Sequence, residues 1–267
     1  MSDKIFKTVF LNRLLVLQMI RREVSGRYNG SAIGILWAII NPLFMLVVYA
    51  FVFSVVFKAR WGVDLNESRA QFALVLFSGL IVHTLVAECL MRAPKIIIDN
   101  SNYVKRVVFP LEILPIVLVG SALFHAAMSF IVLLFGMIFL NGSVPGTAIL
   151  LPIVLMPLLI GALGISWFLA SLGVYVRDTQ QLVGMGVTAL LFLTPIFYPI
   201  SAVPENMRHW LYINPLTVFV EYTRDVMVWG KVPSWNGLAV NYVIAMVVAG
   251  LGYWWFNKTR KGFADVI

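Results

Sequence analysis

Cysteine, histidine and charge are the scarcest features of this chain, and each scarcity excludes something. A single cysteine, Cys89, rules out an intramolecular disulfide and any cysteine-cluster metal site. The three histidines, His83, His125 and His209, are too scattered to show ligand spacing, so no metal site is expected. No Gly-rich phosphate loop with a following lysine occurs, so the chain is not expected to hydrolyse ATP by itself. Neither a nucleophile elbow nor a His-Glu-x-x-His pair is present, and no enzyme signature survives. Charged residues make up only 12% of the chain, and the 64 residues between Glu112 and Arg177 contain none. A water-soluble core cannot use such a run, but a membrane can.

What is present agrees. Hydrophobic residues are 61% of the 267, which excludes an ordinary soluble domain. Hydrocarbon about 30 Å thick needs roughly 20 residues of helix to cross it. The uncharged run is therefore long enough for two crossings, joined at Asn141-Gly142-Ser143-Val144-Pro145-Gly146, a cluster that turns the chain. Charge-free windows predict six spans in an all-α, single-domain membrane protein: 33–57, 70–91, 109–140, 147–174, 180–198 and 235–257. Six spans put both termini on one side. With the N-terminus inside, fourteen of the 20 basic residues are cytoplasmic and six are not, which predicts cytoplasmic termini. The net charge of +8 is thereby explained by topology, without nucleic acid.

Three segments outside the spans are too elaborate for simple connectors. Lys4 to Arg27 alternates apolar and basic residues, as an amphipathic helix on the inner surface or a positive-inside anchor would. Arg92 to Arg106 carries Ile96-Ile97-Ile98 among Lys95, Asp99, Lys105 and Arg106, which reads as a partner-docking helix or an ordinary loop. Pro199 to Lys231 predicts two short helices dipping into the outer leaflet or resting at its surface. In it Asn214 is an N-cap, Pro215 the first helical residue and Gly230 the closing residue.

Within the spans, Trp37, Phe44 and Phe51 recur every seven residues and Phe192, Phe197 and Tyr198 occupy the fifth span. Such aromatics either stack on sugar rings or pack against neighbouring helices. Gly161, Gly164, Gly173, Gly184 and Gly186 predict close approach of spans four and five. Glu88 and Arg92, four apart, pair on one helix face. Spans one, four, five and six hold no carboxylate, which disfavours a proton-coupled carrier and leaves the energy source outside this chain.

Several motifs together resemble the permeases of ABC transporters that export O-antigen, capsule and teichoic-acid polysaccharides. They are Arg27-Tyr28 through Ser31, Gly34, Leu36, Trp37 and Pro42; Tyr103-Val104-Lys105-Arg106; Phe109-Pro110-Leu111-Glu112 with Pro115; Tyr175-Val176-Arg177-Asp178; Thr194-Pro195-Ile196-Phe197-Tyr198-Pro199; and Asn214-Pro215-Leu216 followed by Arg224. The resemblance implies a homodimer of six-span subunits in the cytoplasmic (inner) membrane, paired with two copies of a separate subunit that binds ATP and Mg. It implies a polyprenyl-pyrophosphate-linked polysaccharide as cargo, in O-antigen or lipopolysaccharide biosynthesis. Trp37, Phe44, Phe51, Phe192, Phe197 and Tyr198 would line a passage between subunits. Lys95, Asp99, Tyr103, Lys105 and Arg106 would contact the ATPase. Asn214, Pro215, Glu221 and Arg224 would form the outer gate. Arg27, with Arg21 and Arg22 behind it, would capture the pyrophosphate. Rival readings are a drug- or lipid-exporting ABC permease, a stand-alone carrier or channel, and a membrane-embedded glycan enzyme.

Overall fold

The computed structural model describes residues 10–56, 61, 69–104 and 109–267. Every regular element among these is helical, with no strand. Lys105 and Arg106, and residues 4–9 of the N-terminal segment, lie outside the described residues.

Helix α1 spans Arg13–Tyr28. A 3-10 turn, Gly34–Leu36, leads into α2 (Trp37–Tyr49), which continues through Pro42 and is extended by a π-helical turn, Ala50–Val56. Then come α3 (Arg69–Arg92), the single turn α4 (Ser101–Val104) and α5 (Ile113–Asn141). Gly142, at φ 74°, closes α5 in the left-handed conformation that glycine adopts without steric cost. Helix α6 (Leu151–Tyr175) follows a 3-10 turn, Gly146–Leu150. The remaining helices are α7 (Thr179–Leu193), α8 (Glu205–Ile213), α9 (Pro215–Arg224), α10 (Trp235–Thr259) and α11 (Phe263–Val266).

Among the described residues, five helical stretches are long and apolar enough to cross a bilayer: Gly34–Phe53, Gln71–Lys95, Ile113–Leu140, Gly146–Tyr175 and Trp235–Val266. Helix α7 is apolar but shorter. Its 15 residues rise about 22 Å, less than the hydrocarbon thickness. The sequence predicts a helix from 180 to 198, yet the helix stops at Leu193 and Thr194 is extended, with ψ 137°. Pro195 explains this, because a proline disfavours helical geometry in the residue before it.

Helix α3 is the hub. Of its apolar window 78% is buried, against 11% for the stretch containing α2, so α2 lies on the periphery. The core around α3 draws Leu133 and Met137 from α5, Val154 and Leu158 from α6, and Phe219 and Val220 from α9. A second core gathers Val16 and Met19 of α1, Ile97, Ile113, Leu114, Trp167, Phe256 and Phe263. Helix α1 therefore lies along the first half of α5, with Ile20 against Gly120, while Leu14 and Leu17 stay exposed.

The glycines work differently from the sequence expectation. Gly164 of α6 faces α10, where a Cβ would fall 2.6 Å from Val248 O, and Gly252 abuts the Gly164 carbonyl. Gly173 abuts the backbone of Pro94, and Gly184 and Gly186 of α7 face open space. The close pairing is thus α6 with α10 and not α6 with α7. Small residues permit backbone approach in a membrane, but their spacing does not name the partner.

Candidate functional site

Helix α1 carries Arg27 to the groove between α3 and α5. His125 lies about 18 Å along α5 from its start, and Glu88 is one turn from the Arg92 end of α3. Arg27 Nη1 donates to Glu88 Oε1 at 2.7 Å. His125 Nδ1 lies 3.0 Å from Glu88 Oε2 and 3.0 Å from Arg27 Nη1. Arg92 Nη1 donates to the same Glu88 Oε1 at 3.1 Å, and its other nitrogen pairs with Glu23 of α1. Two arginines, two glutamates and a histidine so tie α1, α3 and α5 together. The Glu88 side chain is only 10% exposed while that of Arg27 is 53% exposed. The cluster thus has a shielded anionic centre and an accessible cationic edge.

A cavity of about 230 Å³ opens beside this cluster. Arg27, Glu88 and His125 line its charged end, with Tyr28 edge-on to the imidazole at 6.1 Å. One turn further along α2 and α3 are Asn41 and Thr84, and beyond them Tyr49 and Phe77. The wall therefore passes from charge through amide and hydroxyl to aromatic ring. Trp37 lines this cavity, whereas Phe44 and Phe51 are 63% and 58% exposed on the subunit surface.

At the opposite end of α2, Phe53 stacks on Phe197 at 5.9 Å and Phe197 meets Phe192 at 6.0 Å. Tyr198 donates its hydroxyl to Phe192 O. The far ends of α2 and α7 are thus joined through rings. Along α7 runs a groove of about 950 Å³ lined by Lys95, Arg177, Gln181, Met185, Thr188 and Phe192.

Helix α9 is clamped onto the break after α7. Asn214 caps it, its Oδ1 accepting from Leu216 N at 3.0 Å while its Nδ2 donates to Thr194 Oγ1 at 2.8 Å. Pro215 takes the first helical position and Gly230, at φ 65°, closes the π-helical turn that continues the helix, as the sequence predicts. Arg224 is completely buried. It donates to Pro195 O at 2.7 Å, Ile196 O at 3.0 Å, Val75 O at 3.3 Å and Glu221 Oε1 at 2.6 Å, and it lies over the Trp61 ring.

The segment after α3 is fixed to α6 through Pro94 and Gly173. Ile97 is fully buried, and Tyr103 stacks on Phe109 at 4.3 Å. Lys95 and Asp99 line a cavity of about 360 Å³ together with Arg22, Glu23 and Gln180. Arg21 is exposed and lines none of these cavities. No cluster suited to a metal occurs among the described residues.

The profile of the family described as ABC-2 type transporter matches residues 15–228. The chain belongs to that family. Two relatives called O-antigen export system permease protein RfbA are similar along nearly their whole length. One, from Klebsiella pneumoniae, is 25% identical over 95% of each chain. The other, from Myxococcus xanthus, is 25% identical over 99% of each. The polysialic acid transport protein KpsM of Escherichia coli is 23% identical over 90% of this chain and 91% of its own.

In this ABC-2 chain, then, the structure brings Arg27, Trp37, Glu88 and His125 to one cavity. Arg22, Lys95 and Asp99 meet at a second, and Asn214, Glu221 and Arg224 meet at the end of α7. Sequence reasoning assigned no role to His125, Glu23 or Thr194. A histidine inside an uncharged helix of 29 residues was the available signal, because ionisable groups at membrane depth are rare and usually functional. Glu23 carries no such signal, and the Thr194-Pro195 motif does not name Asn214 as the partner of Thr194.

Proposed function

We propose that this chain is the membrane-spanning subunit of an ATP-driven exporter that moves a polyprenyl-pyrophosphate-linked polysaccharide across the cytoplasmic membrane. One observation carries the reading: similarity to O-antigen export permeases that covers at least 95% of both chains. Two of these subunits enclose the passage, and two copies of an ATP-binding subunit drive it. Helix α7, with the non-helical residues after it, completes a sixth span, while α8 and α9 re-enter from the outer face. Both termini are cytoplasmic, as the distribution of basic residues favours.

The chemistry of the cavities supports a sugar cargo. A pyrophosphate cannot enter hydrocarbon without a compensating charge, and Arg27 supplies an accessible one at the cytoplasmic end of α2. Amide, hydroxyl and aromatic groups follow it outward along α2 and α3. The groove along α7 carries Gln181, Met185, Thr188 and Phe192 in turn. Stacking faces alternating with hydrogen-bonding groups suit sugar rings, which present an apolar face and a polar rim. ATP binding closes the partner subunits against Lys95, Asp99 and Tyr103, and the segment passes that motion to α6 through the Pro94–Gly173 contact. Asn214, Glu221 and Arg224 hold the outer gate.

The test is to tag the chain in its host, extract it in mild detergent and identify what co-purifies. A stoichiometric ATP-binding subunit, together with loss of surface glycan in Arg27→Ala at normal protein level, is the expected result. A chain that comes out alone, or unchanged glycan in Arg27→Ala, would count against it.

A further inference from the structure

Arg27 does not present a free cation to the cavity it lines, because Glu88 already pairs with it. Its carboxylate accepts from Arg27, lies within 3.0 Å of His125 Nδ1 and accepts from Arg92. The last bond matters most. Arg92 holds Glu88 from the next turn of the same helix, so Glu88 can release Arg27 without becoming an unpaired buried charge, which would cost far more than the bond itself. Glu23 pairs with Arg92 as well, so α1 keeps its tether to α3 when the Arg27 bond is lost. His125 has the same two-way character. Its Nδ1 can donate to Glu88 or accept from Arg27 at 3.0 Å, but not both at once.

We propose that Glu88 is an internal stand-in for an anionic ligand: a phosphoryl group entering the 230 Å³ cavity binds Arg27 by displacing Glu88, which stays paired with Arg92. This rests on the reading of Arg27 as the head-group residue given above, and adds a competitor and a route for the signal. Arg92 immediately precedes the turn Ala93–Lys95, whose Pro94 abuts Gly173 of α6. Occupation of the cavity is thereby felt at the segment that faces the ATP-binding partner. Asn41 and Thr84, which line the cavity one turn outward, hold the sugar next to the phosphoryl group. The pairing keeps the cluster neutral when the cavity is empty, with Arg27 and Arg92 set against Glu88 and Glu23.

The test uses the full-length chain in phosphatidylcholine nanodiscs, titrated with inorganic pyrophosphate and with farnesyl pyrophosphate. Glu88→Gln removes the competing charge at constant shape and is expected to tighten binding about tenfold. Arg92→Gln removes the fallback partner, holds Glu88 on Arg27 and is expected to weaken binding by a similar factor. In the double variant the Arg92 change should have no further effect, which separates exchange from a general loss of positive charge. Should Glu88→Gln give no folded protein, Glu88→Asp, with its shorter reach, is expected to shift affinity the same way by less. Tightening with both ligands assigns the site to a lipid-borne head; tightening with inorganic pyrophosphate alone assigns it to a soluble anion. Unchanged or weaker binding in Glu88→Gln, while Arg27→Gln abolishes binding, overturns the exchange and leaves the Arg27 reading intact. Undiminished binding in Arg27→Gln overturns both.

Discussion

Replacing Arg224 by methionine tests what holds α9 in place. The guanidinium is fully buried and donates to three carbonyls and one carboxylate. Val75 O also accepts from Ser78 Oγ at 2.8 Å, so it is not orphaned by the change. Pro195 O and Ile196 O lie in the non-helical break after α7, and Arg224 is their donor. Leaving a buried acceptor unsatisfied costs about 1–3 kcal/mol each. Glu221 is 34% exposed and turns to water at small cost. Methionine fills the volume and recovers part of the desolvation of the lost cation. The net expectation is a loss of about 3 kcal/mol, read as a fall in unfolding temperature of about 6–12 °C for the detergent-solubilised chain.

Arg224→Lys keeps the charge but offers one nitrogen for acceptors spread around a planar fork, so it should fall between wild type and methionine. Gly79→Ala perturbs the same anchor from the other side. Its Cβ would sit 3.0 Å from Arg224 Nη2 and 3.2 Å from Val220 Cγ1, so α9 must yield by a few tenths of an ångström. Limited proteolysis between Thr194 and Asn214 reports the release of α9 directly, and cleavage there should quicken in all three variants. A methionine variant as stable as wild type, with unchanged cleavage, would refute the claim that Arg224 pins α9 to the end of α7.

Other contacts give sharper contrasts. Gly164→Ala drives a Cβ into the Val248–Ala249 backbone and should abolish folded protein on size-exclusion, while Gly250→Ala, with nothing within 4 Å, should elute as wild type. Asn214→Ala removes both the cap of α9 and the bond to Thr194, and should cost about 2 kcal/mol by thermal unfolding. Glu112→Gln weakens the 2.9 Å bond from Arg260, which is 43% exposed. Its cost should stay near 1 kcal/mol, and Gln should be tolerated better than Ala because it still accepts.

Local chemistry was legible in the sequence and long-range pairing was not. The cap at Asn214, the proline after it and the closing Gly230 are adjacent signals, and the structure forms them as read. So are the helical character of the chain and its long apolar runs. The end of α7 was equally local. Pro195 stood inside the expected helix, and the rule that a proline extends its predecessor predicts the stop at Leu193. Apolarity alone extends the expected helix past it. Glu88 and Arg92 were legible as a pair, but Arg27 and His125 reach them across 61 and 37 residues. No spacing rule covers such distances. The glycines show the same limit, since a small residue announces close approach without saying to what.

Exposure does not by itself identify a passage, because lipid tails cover an aliphatic helix face as well as protein does. The discriminating quantity is what the exposed face is made of. Between 240 and 251 helix α10 exposes Val240, Val243, Ile244, Met246, Val247 and Leu251, a face that hydrocarbon satisfies completely, and its exposed amide Asn236 sits in the first turn. Helices α2 and α7 expose Phe44, Phe51, Met185 and Phe192, but among them also Asn41 and Gln181. An amide left in hydrocarbon without a partner costs several kcal/mol, so these positions favour water, sugar or a second subunit as neighbour. The two helices that carry such residues flank the buried α3 and meet through Phe53, Phe197 and Phe192. That difference in composition, more than any aromatic spacing, separates the α2–α7 side, which asks for a polar neighbour, from the α10 side, which hydrocarbon satisfies.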